Sequence, residues 1–296
     1  MNPNQALWEK GDFTRIAASM RESGAAVVKA AGIERGMKVL DLGCGDGTTA
    51  LPAAQLGADV LGVDIASNLV AAGNRRAAEA GLANLRFQEG DASNLEGLPD
   101  KAYDRVISIF GAMFAPRPFD VAKEMVRVTK PGGRIVMGNW IPNDPTLVAQ
   151  ILKTSAAYSP PPPEGFVSPM TWGVESHVIE RFGAAGIPKD DIRVRPRHLP
   201  LRVPRRAVRL RRRIPSLLRA DHERLRRGRE ERPQRRAEAG ARHAVREPEY
   251  EQRPGRSVDS GDVSSGDGTG GVAGVGGLEY WHFRRVECAV NRVRGN

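Results

Sequence analysis

The stretch DLGCGDGTT (41–49) constrains the fold more than any other part of the chain. It directly follows an apolar run typical of a strand, and a helical pattern begins near Thr48. Its three glycines, Gly43, Gly45 and Gly47, permit positive φ and let a ligand lie against bare backbone. The following helix N-terminus offers free N–H groups to an anion. A glycine-rich turn between a strand and a helix is the context expected of a nucleotide-binding α/β protein.

The sequence around this loop alternates strand-like runs with helical stretches, which predicts an α/β, doubly wound Rossmann-like sheet. The predicted strands are KVLDLG (38–43), ADVLGVDI (58–65), LRFQEGDA (85–92), YDRVISIF (103–110) and GGRIVMGNW (132–140). The predicted helices between them are TTALPAAQLG, SNLVAAGNRRAAEAGL and FDVAKEMVRVT. We predict N-terminal helices over 1–34 that form a lid or cap, a binding core over 35–140, and an insert over 141–194 that includes the start of a sixth strand.

The spacing of the loop is G-x-G-x-G, with an acidic residue, Asp41, two positions before the first glycine. Dinucleotide-binding proteins have G-x-G-x-x-G at this place. The spacing favours S-adenosylmethionine (SAM) over NAD and disfavours an NAD-linked oxidoreductase, for which no hydride-transfer site can be assigned either.

Four motifs, VLDLGCGDGTT, VLGVDIA, GDA and VTKPGG, occur in order along the predicted sheet. Together they resemble the ordered motifs of class I SAM-dependent methyltransferases. The nearest subgroup is the type 11, or ubiquinone- and menaquinone-biosynthesis-like, small-molecule enzymes. The resemblance covers about residues 8–194 and implies transfer of a methyl group from SAM to a small-molecule acceptor.

The resemblance also implies roles for individual residues. The three loop glycines would line the methionine and ribose portions of SAM, and Asp41 would orient the loop and the amino end. Asp64 would accept hydrogen bonds from both ribose hydroxyls, and Asp91 with Ala92 would recognise adenine. The expected cofactor-binding residues are Asp41, Gly43, Cys44, Gly45, Gly47, Asp64, Ile65, Asp91, Ala92 and Ile109.

Each role has a structural alternative. The glycines could serve only the conformation of the turn, Asp64 could cap a helix, and Asp91 could be an acidic residue that stabilises a turn. Cys44 fits a small loop filler better than a nucleophile. Trp8 and Phe13 fit a lid over the cofactor and anchors of an N-terminal helix equally well.

On the acceptor side, we expect Asn139 and Trp140 to bind substrate rather than catalyse. A general base is optional, and its candidates lie in the insert: Tyr158, Glu164 and His177. His177 also fits a solvated helix face, and no metal site is expected.

No (D/N)-P-P-(Y/F) motif follows the fourth strand, where the sequence is SIFGAMFA. The lack of this motif disfavours a methyltransferase that acts on the amino groups of nucleic-acid bases.

The charge of the chain is divided unevenly. Residues 1–194 carry 8 Lys and 12 Arg against 22 acidic residues, whereas residues 195–296 carry 25 Arg, no Lys and 13 acidic residues. One interpretation is a basic arm, which would make nucleic-acid binding or RNA methylation the alternative function. The other is a frameshift after about residue 194, because GC-rich DNA read out of frame overproduces arginine. We favour the frameshift, and predict a disordered tail, missing last strands and impaired activity.

Other features of the sequence argue against membrane-spanning, secreted and disulfide-rich classes of protein. No run of 18 apolar residues occurs, and the N-terminus MNPNQALWEKGDF lacks a signal-peptide profile. The two cysteines, Cys44 and Cys288, make a disulfide framework implausible. We therefore expect a cytosolic protein with no membrane span and no nucleic-acid partner, whose oligomeric state the sequence leaves open.

Overall fold

The structure, a computed structural model, describes residues 5–10, 12–143, 164–204 and 278–290. Nearly all of these residues belong to one compact unit made of Met1–Val203 and Glu279–Asn296. A second unit, Pro204–Leu278, falls almost entirely outside the described ranges.

Five adjacent parallel strands make up most of the sheet, from one edge inward, and they confirm the predicted strands. They are β1 (Lys38–Leu42), β2 (Asp59–Asp64), β3 (Leu85–Glu89), β4 (Tyr103–Ile109) and β5 (Thr129–Trp140). Their order across the sheet is β3-β2-β1-β4-β5. The chain thus adds β2 and β3 on one side of β1 and then β4 and β5 on its other side, so the strand order reverses between β1 and β4. In open α/β sheets, ligands bind outside the carboxyl ends of the strands at such a reversal.

Helices connect these strands on both faces of the sheet. They are α1 (Gln5–Trp8), α2 (Phe13–Ala18), α3 (Arg21–Ala30), α4 (Ala50–Gln55), α5 (Ser67–Glu79), α6 (Pro118–Val128) and α7 (Glu175–Ala184). Short 3-10 turns cover Ala112–Phe114, Pro169–Gly173 and Lys189–Asp191. The three helices predicted between the strands are confirmed, and Gly57 takes the positive φ of 93° that ends the first of them.

The sheet is buried on both faces, which explains why its strands read as nearly continuous apolar runs. On one face, Met125 of α6 and Phe182 of α7 pack with Ile135 and Met137 of β5. On the other face, the apolar residues of α3, α4 and α5 pack with alternate residues of the same strands, including Val39, Val60 and Val136. Two full layers of helix therefore hold the carboxyl ends of the strands in place.

The sheet continues past β5 with two further strands, β7 (Leu278–Val290) and then β6 (Ile192–Pro204) at the edge. β7 runs antiparallel to β5, from Ile135 opposite Val290 to Trp140 opposite Arg285. This differs from the expectation that the last strands are missing.

The physical reason lies in β5 and in the local sequence of β7. The outer edge of β5 presents backbone N–H and C=O groups that need partners. LEYWHFRRVECAV is rich in the aromatic and β-branched residues that favour strands. The frameshift hypothesis treated this stretch together with the arginine-rich sequence before it, and so left its strand preference unused. Residues 205–277 lie outside the described residues, so the frameshift and the disordered tail stay predictions.

Within the described ranges, no helix is long and apolar enough to cross a membrane.

Candidate active site

A large cavity opens at the carboxyl ends of the parallel strands, where the strand order reverses. It encloses about 1200 Å³ including the space at its open mouth. Its walls come from the N-terminal helices and from the segments that follow β1, β2, β3 and β4, with the end of β5. The loop 41–49 is therefore at the place where a ligand of this fold is held.

Gly43 and Gly45 shape the wall that the loop contributes. Both have positive φ, 63° and 57°. A Cβ on Gly43 would lie 2.5 Å from the Cα of Gly111, so the loops after β1 and β4 touch through bare backbone. A Cβ on Gly45 would meet nothing within 4 Å, and Gly45 lines the cavity. Its backbone therefore faces open space in the cavity.

Gly47 has a different place from the one expected of it. It is not part of the described cavity wall, although we predicted it among the cofactor-binding residues. A Cβ at Gly47 would lie 2.5 Å from Cδ1 of Leu51 and 2.6 Å from Cζ of Phe87. This glycine makes room for core side chains, and its positive φ of 88° shapes the turn.

Asp64, at the end of β2, joins this loop to the start of α5. Its Oδ2 accepts a hydrogen bond from the Gly45 N–H at 2.8 Å, and its Oδ1 accepts one from the Ala66 N–H at 3.0 Å. The side chain is buried and lines the cavity. Burial raises the pKa of Asp64, against the opposing effect of the backbone N–H donors. Each carboxylate oxygen can accept a further hydrogen bond.

Asp41, at the end of β1, is a second buried carboxylate in the cavity wall. It accepts a hydrogen bond from the Ala50 N–H, but its Oδ2 has no hydrogen-bond partner. Burial, and then the charge of Asp64, raise the pKa of Asp41 to about 8. A buried carboxylate oxygen without a donor fits a cationic ligand group, so the residues present fit the positively charged amino end of SAM.

Asp46 is a site residue that the sequence reasoning missed. It is 1% exposed and lines the cavity. Its carboxylate pairs with Arg21 of α3 at 2.9 Å and with Arg76 of α5 at 3.3 Å. These partners are 25 and 30 residues away along the chain, so no local pattern indicated them. Asp46 thus ties the glycine-rich loop to two helices.

The structure brings the other predicted cofactor-side residues to the same cavity: Cys44, Ile65, Asp91, Ala92 and Ile109. Oδ1 of Asp91 accepts hydrogen bonds from the N–H and hydroxyl of Ser93, at 2.9 and 2.7 Å, so Asp91 also shapes its own turn. Burial, then the charges of Asp64 and Asp41, raise the pKa of the Cys44 thiol. A protonated thiol is a poor nucleophile, which supports the loop-filler interpretation.

Aromatic rings form much of the remaining wall. Trp8 contacts Phe13 and Phe114 edge-to-face, with centroids 5.6 and 5.0 Å apart. Phe110 stacks on Trp140, with centroids 3.7 Å apart and planes 6° from parallel. All five rings line the cavity. Trp8, Phe13 and Trp140 therefore all lie on the cavity, and their roles as lid and acceptor-side residues stay predictions.

Asn139 and the three candidate bases are placed elsewhere. Asn139 is buried and does not line the described cavity, because neighbouring residues of a strand point to opposite faces and Trp140 takes the cavity side. Glu164 is exposed in a turn, and His177 is partly exposed on α7, where its Nδ1 lies 3.5 Å from Oε2 of Glu180. Neither lines the cavity. Tyr158 lies outside the described residues.

Among the described residues, no three or more His, Cys, Asp or Glu side chains come together in a group that could hold a metal ion.

Comparison with known proteins gives a family match over the strands that carry this site. Residues 40–137 match a family model described as a methyltransferase domain. An uncharacterised protein of Mycobacterium tuberculosis is 37% identical over 182 residues, which cover 60% of this chain and 64% of that protein. The chain thus spans less than two thirds of that relative's length.

A demethylmenaquinone methyltransferase of Paenarthrobacter aurescens is 38% identical over 114 residues, covering 38% of this chain and 43% of that enzyme. The crystal structure of a SAM-dependent methyltransferase from Aquifex aeolicus shares 23% identity with a TM-score of 0.47, covering 64% of this chain and 94% of that one. The family match falls on β1 to β5 and on the cavity loops between them. Residues 40–137 therefore match a methyltransferase domain over the part of the chain that carries this site.

Proposed function

We propose that this protein transfers a methyl group from SAM to a small-molecule acceptor. The observation that carries the proposal is the pair of buried carboxylates, Asp41 and Asp64, which face one cavity at the carboxyl ends of adjacent strands. Asp41 lacks a partner for one oxygen, and Asp64 can accept additional donors. A ligand with a cationic end and a vicinal diol meets both needs.

In this proposal the protein mainly positions its ligands. Asp64 would accept the ribose hydroxyls, Asp41 would hold the amino group, and Gly43 with Gly45 would let the ligand lie against the loop backbone. Asp91 and Ala92 would border the adenine. SAM supplies an electrophilic methyl group on a sulfonium, so the chain contributes orientation and exclusion of water.

Among the described residues, the aromatic part of the cavity wall includes no His, Lys, Tyr or carboxylate side chain that could act as a general base. The aromatic residues there, with Ile109 and Ala115, give apolar walls. Such walls suit a small organic acceptor better than the phosphate backbone of a nucleic acid, which binds through basic side chains. RNA binding through the arginine-rich segment stays a prediction, because most of that segment lies outside the described residues. The expected cytosolic location rests on the sequence.

Calorimetric titration of the full chain with SAM, with its product S-adenosylhomocysteine (SAH) and with NADH tests the proposal. We expect saturable binding of SAM and SAH at one site and no binding of NADH. Mass spectrometry of a small-molecule extract incubated with protein and methyl-labelled SAM should then show a labelled product. Binding of NADH in place of SAM would refute the proposed function.

A further inference from the structure

A buried arginine lies outside the cavity, on the face of the sheet that α6 and α7 cover. Arg181 of α7 is 2% exposed and does not line the cavity. Its Nη2 donates a hydrogen bond to the Thr171 hydroxyl at 2.6 Å, and its guanidinium carbon lies 4.5 Å from the centroid of the Trp172 ring. Because arginine stays protonated in proteins, these contacts hold a full positive charge in the interior.

Two N–H groups of this cluster have no hydrogen-bond acceptor. One is Nη1 of Arg181, and the other is Nε1 of Trp172, which is 1% exposed. The two side chains are in contact, so both donors belong to the same buried cluster. A buried donor without an acceptor destabilises the fold, because it has lost its hydrogen bonds to water. Such groups are rare in native proteins, and each one needs a specific cause.

Among the described residues, no carboxylate forms an ion pair with Arg181. The acidic side chain whose charge acts on it is Glu180, its neighbour on α7. Neighbouring residues of a helix do not face each other. The side chain of Glu180 is 61% exposed and lies beside His177. Burial accordingly lowers the pKa of Arg181 by more than the charge of Glu180 raises it.

Packing within the protein explains this cluster only in part. The Thr171 hydroxyl and the Trp172 ring attract the guanidinium, but both are uncharged and leave its charge uncompensated. A buried water molecule could accept from an unpaired N–H, yet it is neutral as well. An anion would accept from the unpaired donors and would also neutralise the charge. Since both side chains are almost fully shielded from solvent, such an anion must be small.

The cluster also lies beside the strand that ends at the cavity. The turn Pro169–Gly173, which carries Trp172, packs closely on the end of β5, because a Cβ on Gly173 would lie 2.0 Å from the carbonyl oxygen of Trp140. An anion bound by Arg181 and Trp172 would therefore fasten α7 to a turn that supports this part of the sheet.

We propose that Arg181 and Trp172 form a binding site for a small anion, of the size of chloride or formate, which accepts hydrogen bonds from their unpaired N–H groups. The site is separate from the SAM cavity, and the proposal does not depend on methyl transfer. The anion has a structural role, because it compensates the buried charge and fastens α7 to the turn. Its removal should therefore lower the stability of the fold.

The test measures thermal unfolding of the full chain in sodium gluconate, as gluconate is replaced by chloride or by formate at constant ionic strength. Gluconate carries the same single charge as the two probes but is too large for a shielded site. We expect the melting temperature to rise with chloride, formate or both, by about 3–6 °C for each tenfold increase above the dissociation constant. A melting temperature that is the same in all three salts would overturn the proposal.

Three variants locate the effect. Arg181→Met removes the charge but keeps a long side chain, so it should abolish the response to the probes. Trp172→Phe removes the Nε1 donor and keeps an aromatic ring, so it should raise the probe concentration needed for the same shift by about two- to tenfold, the contribution of one hydrogen bond. Arg193→Met, at an exposed arginine of β6, should respond as the wild type does.

A response that persists unchanged in Arg181→Met would place the anion elsewhere and overturn the proposal. Where Arg181→Met does not fold, an unchanged response in Trp172→Phe is the contradicting result. A response that is lost in Arg181→Met and kept in Arg193→Met supports the assignment of the site.

Discussion

At the scale of single residues, two carboxylates 23 positions apart in the sequence are held in one cavity but are satisfied differently. Asp64 receives two backbone N–H donors, whereas one oxygen of Asp41 has none. Asp41 therefore has one oxygen available to a cationic partner, whereas both oxygens of Asp64 already accept hydrogen bonds. The protonation state of Asp41 can be measured.

The affinity for SAH should depend on pH through Asp41. Its pKa of about 8 without ligand means that the carboxyl is mostly protonated at neutral pH. A bound ammonium group favours the ionised form, so binding must release a proton below pH 8. We expect affinity to rise from pH 6 to 8, by at most about tenfold per pH unit, and then to level off. Calorimetry in buffers of different ionisation enthalpy counts the released protons, and a count of zero at pH 7 would contradict this assignment.

Without ligand, Asp41→Asn should stabilise the protein at alkaline pH. The folded pKa lies above the ordinary value of 3.8. Between those two values the folded state therefore binds more protons than the unfolded state, and its stability falls as pH rises. An asparagine does not titrate, so the variant should gain thermal stability over the wild type between pH 5 and 9. Melting temperatures that follow the same pH curve in both proteins would be the contrary result.

At the scale of elements, α3 packs unusually closely on the glycine-rich loop. A Cβ on Gly24 would lie 1.9 Å from the Thr48 carbonyl oxygen. The helix is also tied to the loop through the ion pair of Arg21 with Asp46. The N-terminal helices and the loop therefore form one wall, and a displacement of α3 would move the backbone that faces the ligand.

Gly24→Ala should accordingly destabilise the protein by about 1–3 kcal/mol, the usual cost of overpacking, and weaken SAH binding. Gly183→Ala is the matched control, because a Cβ at that helical glycine meets nothing within 4 Å. Alanine is the better helix former, so the control should be unchanged or up to about 1 kcal/mol more stable. Urea unfolding measures both. Similar stability losses in the two variants would argue against the close packing of α3 on the loop.

The sequence predicted most of these elements because their signals are local. Buried parallel strands read as apolar runs, and the glycines that end helices or open the loop have conformational signatures. The pairing of Asp46 with Arg21 and Arg76, and the stacking of Phe110 on Trp140, depend on chain segments that meet only in the fold. The placement of Asn139 away from the described cavity wall likewise depends on which face of β5 meets the cavity in the fold. β7 was not predicted because the whole segment after residue 194 was attributed to a frameshift.

At the scale of the whole molecule, the sheet depends on a strand far from the family match in sequence. β7 covers the edge of β5, whose carboxyl end carries Trp140 in the cavity wall. Removing β7 would leave the backbone groups along that edge unpaired.

A chain ending after residue 277 should therefore aggregate more readily and melt at a lower temperature than the full chain. Size-exclusion chromatography and thermal unfolding measure these effects. A truncated protein that stays monodisperse with an unchanged melting temperature would show that β7 contributes little to the sheet.

The central claim is that this cavity binds the cofactor through the carboxylate at the end of β2. The most direct measurement is calorimetric titration of SAH into the wild type, into Asp64→Asn, and into Asp59→Asn, which changes the same residue type at the exposed start of the same strand. Losing a charged acceptor of buried hydrogen bonds should weaken binding about 10- to 100-fold in Asp64→Asn. Asp59→Asn should bind SAH as the wild type does. Unchanged affinity in a folded Asp64→Asn protein would contradict the account.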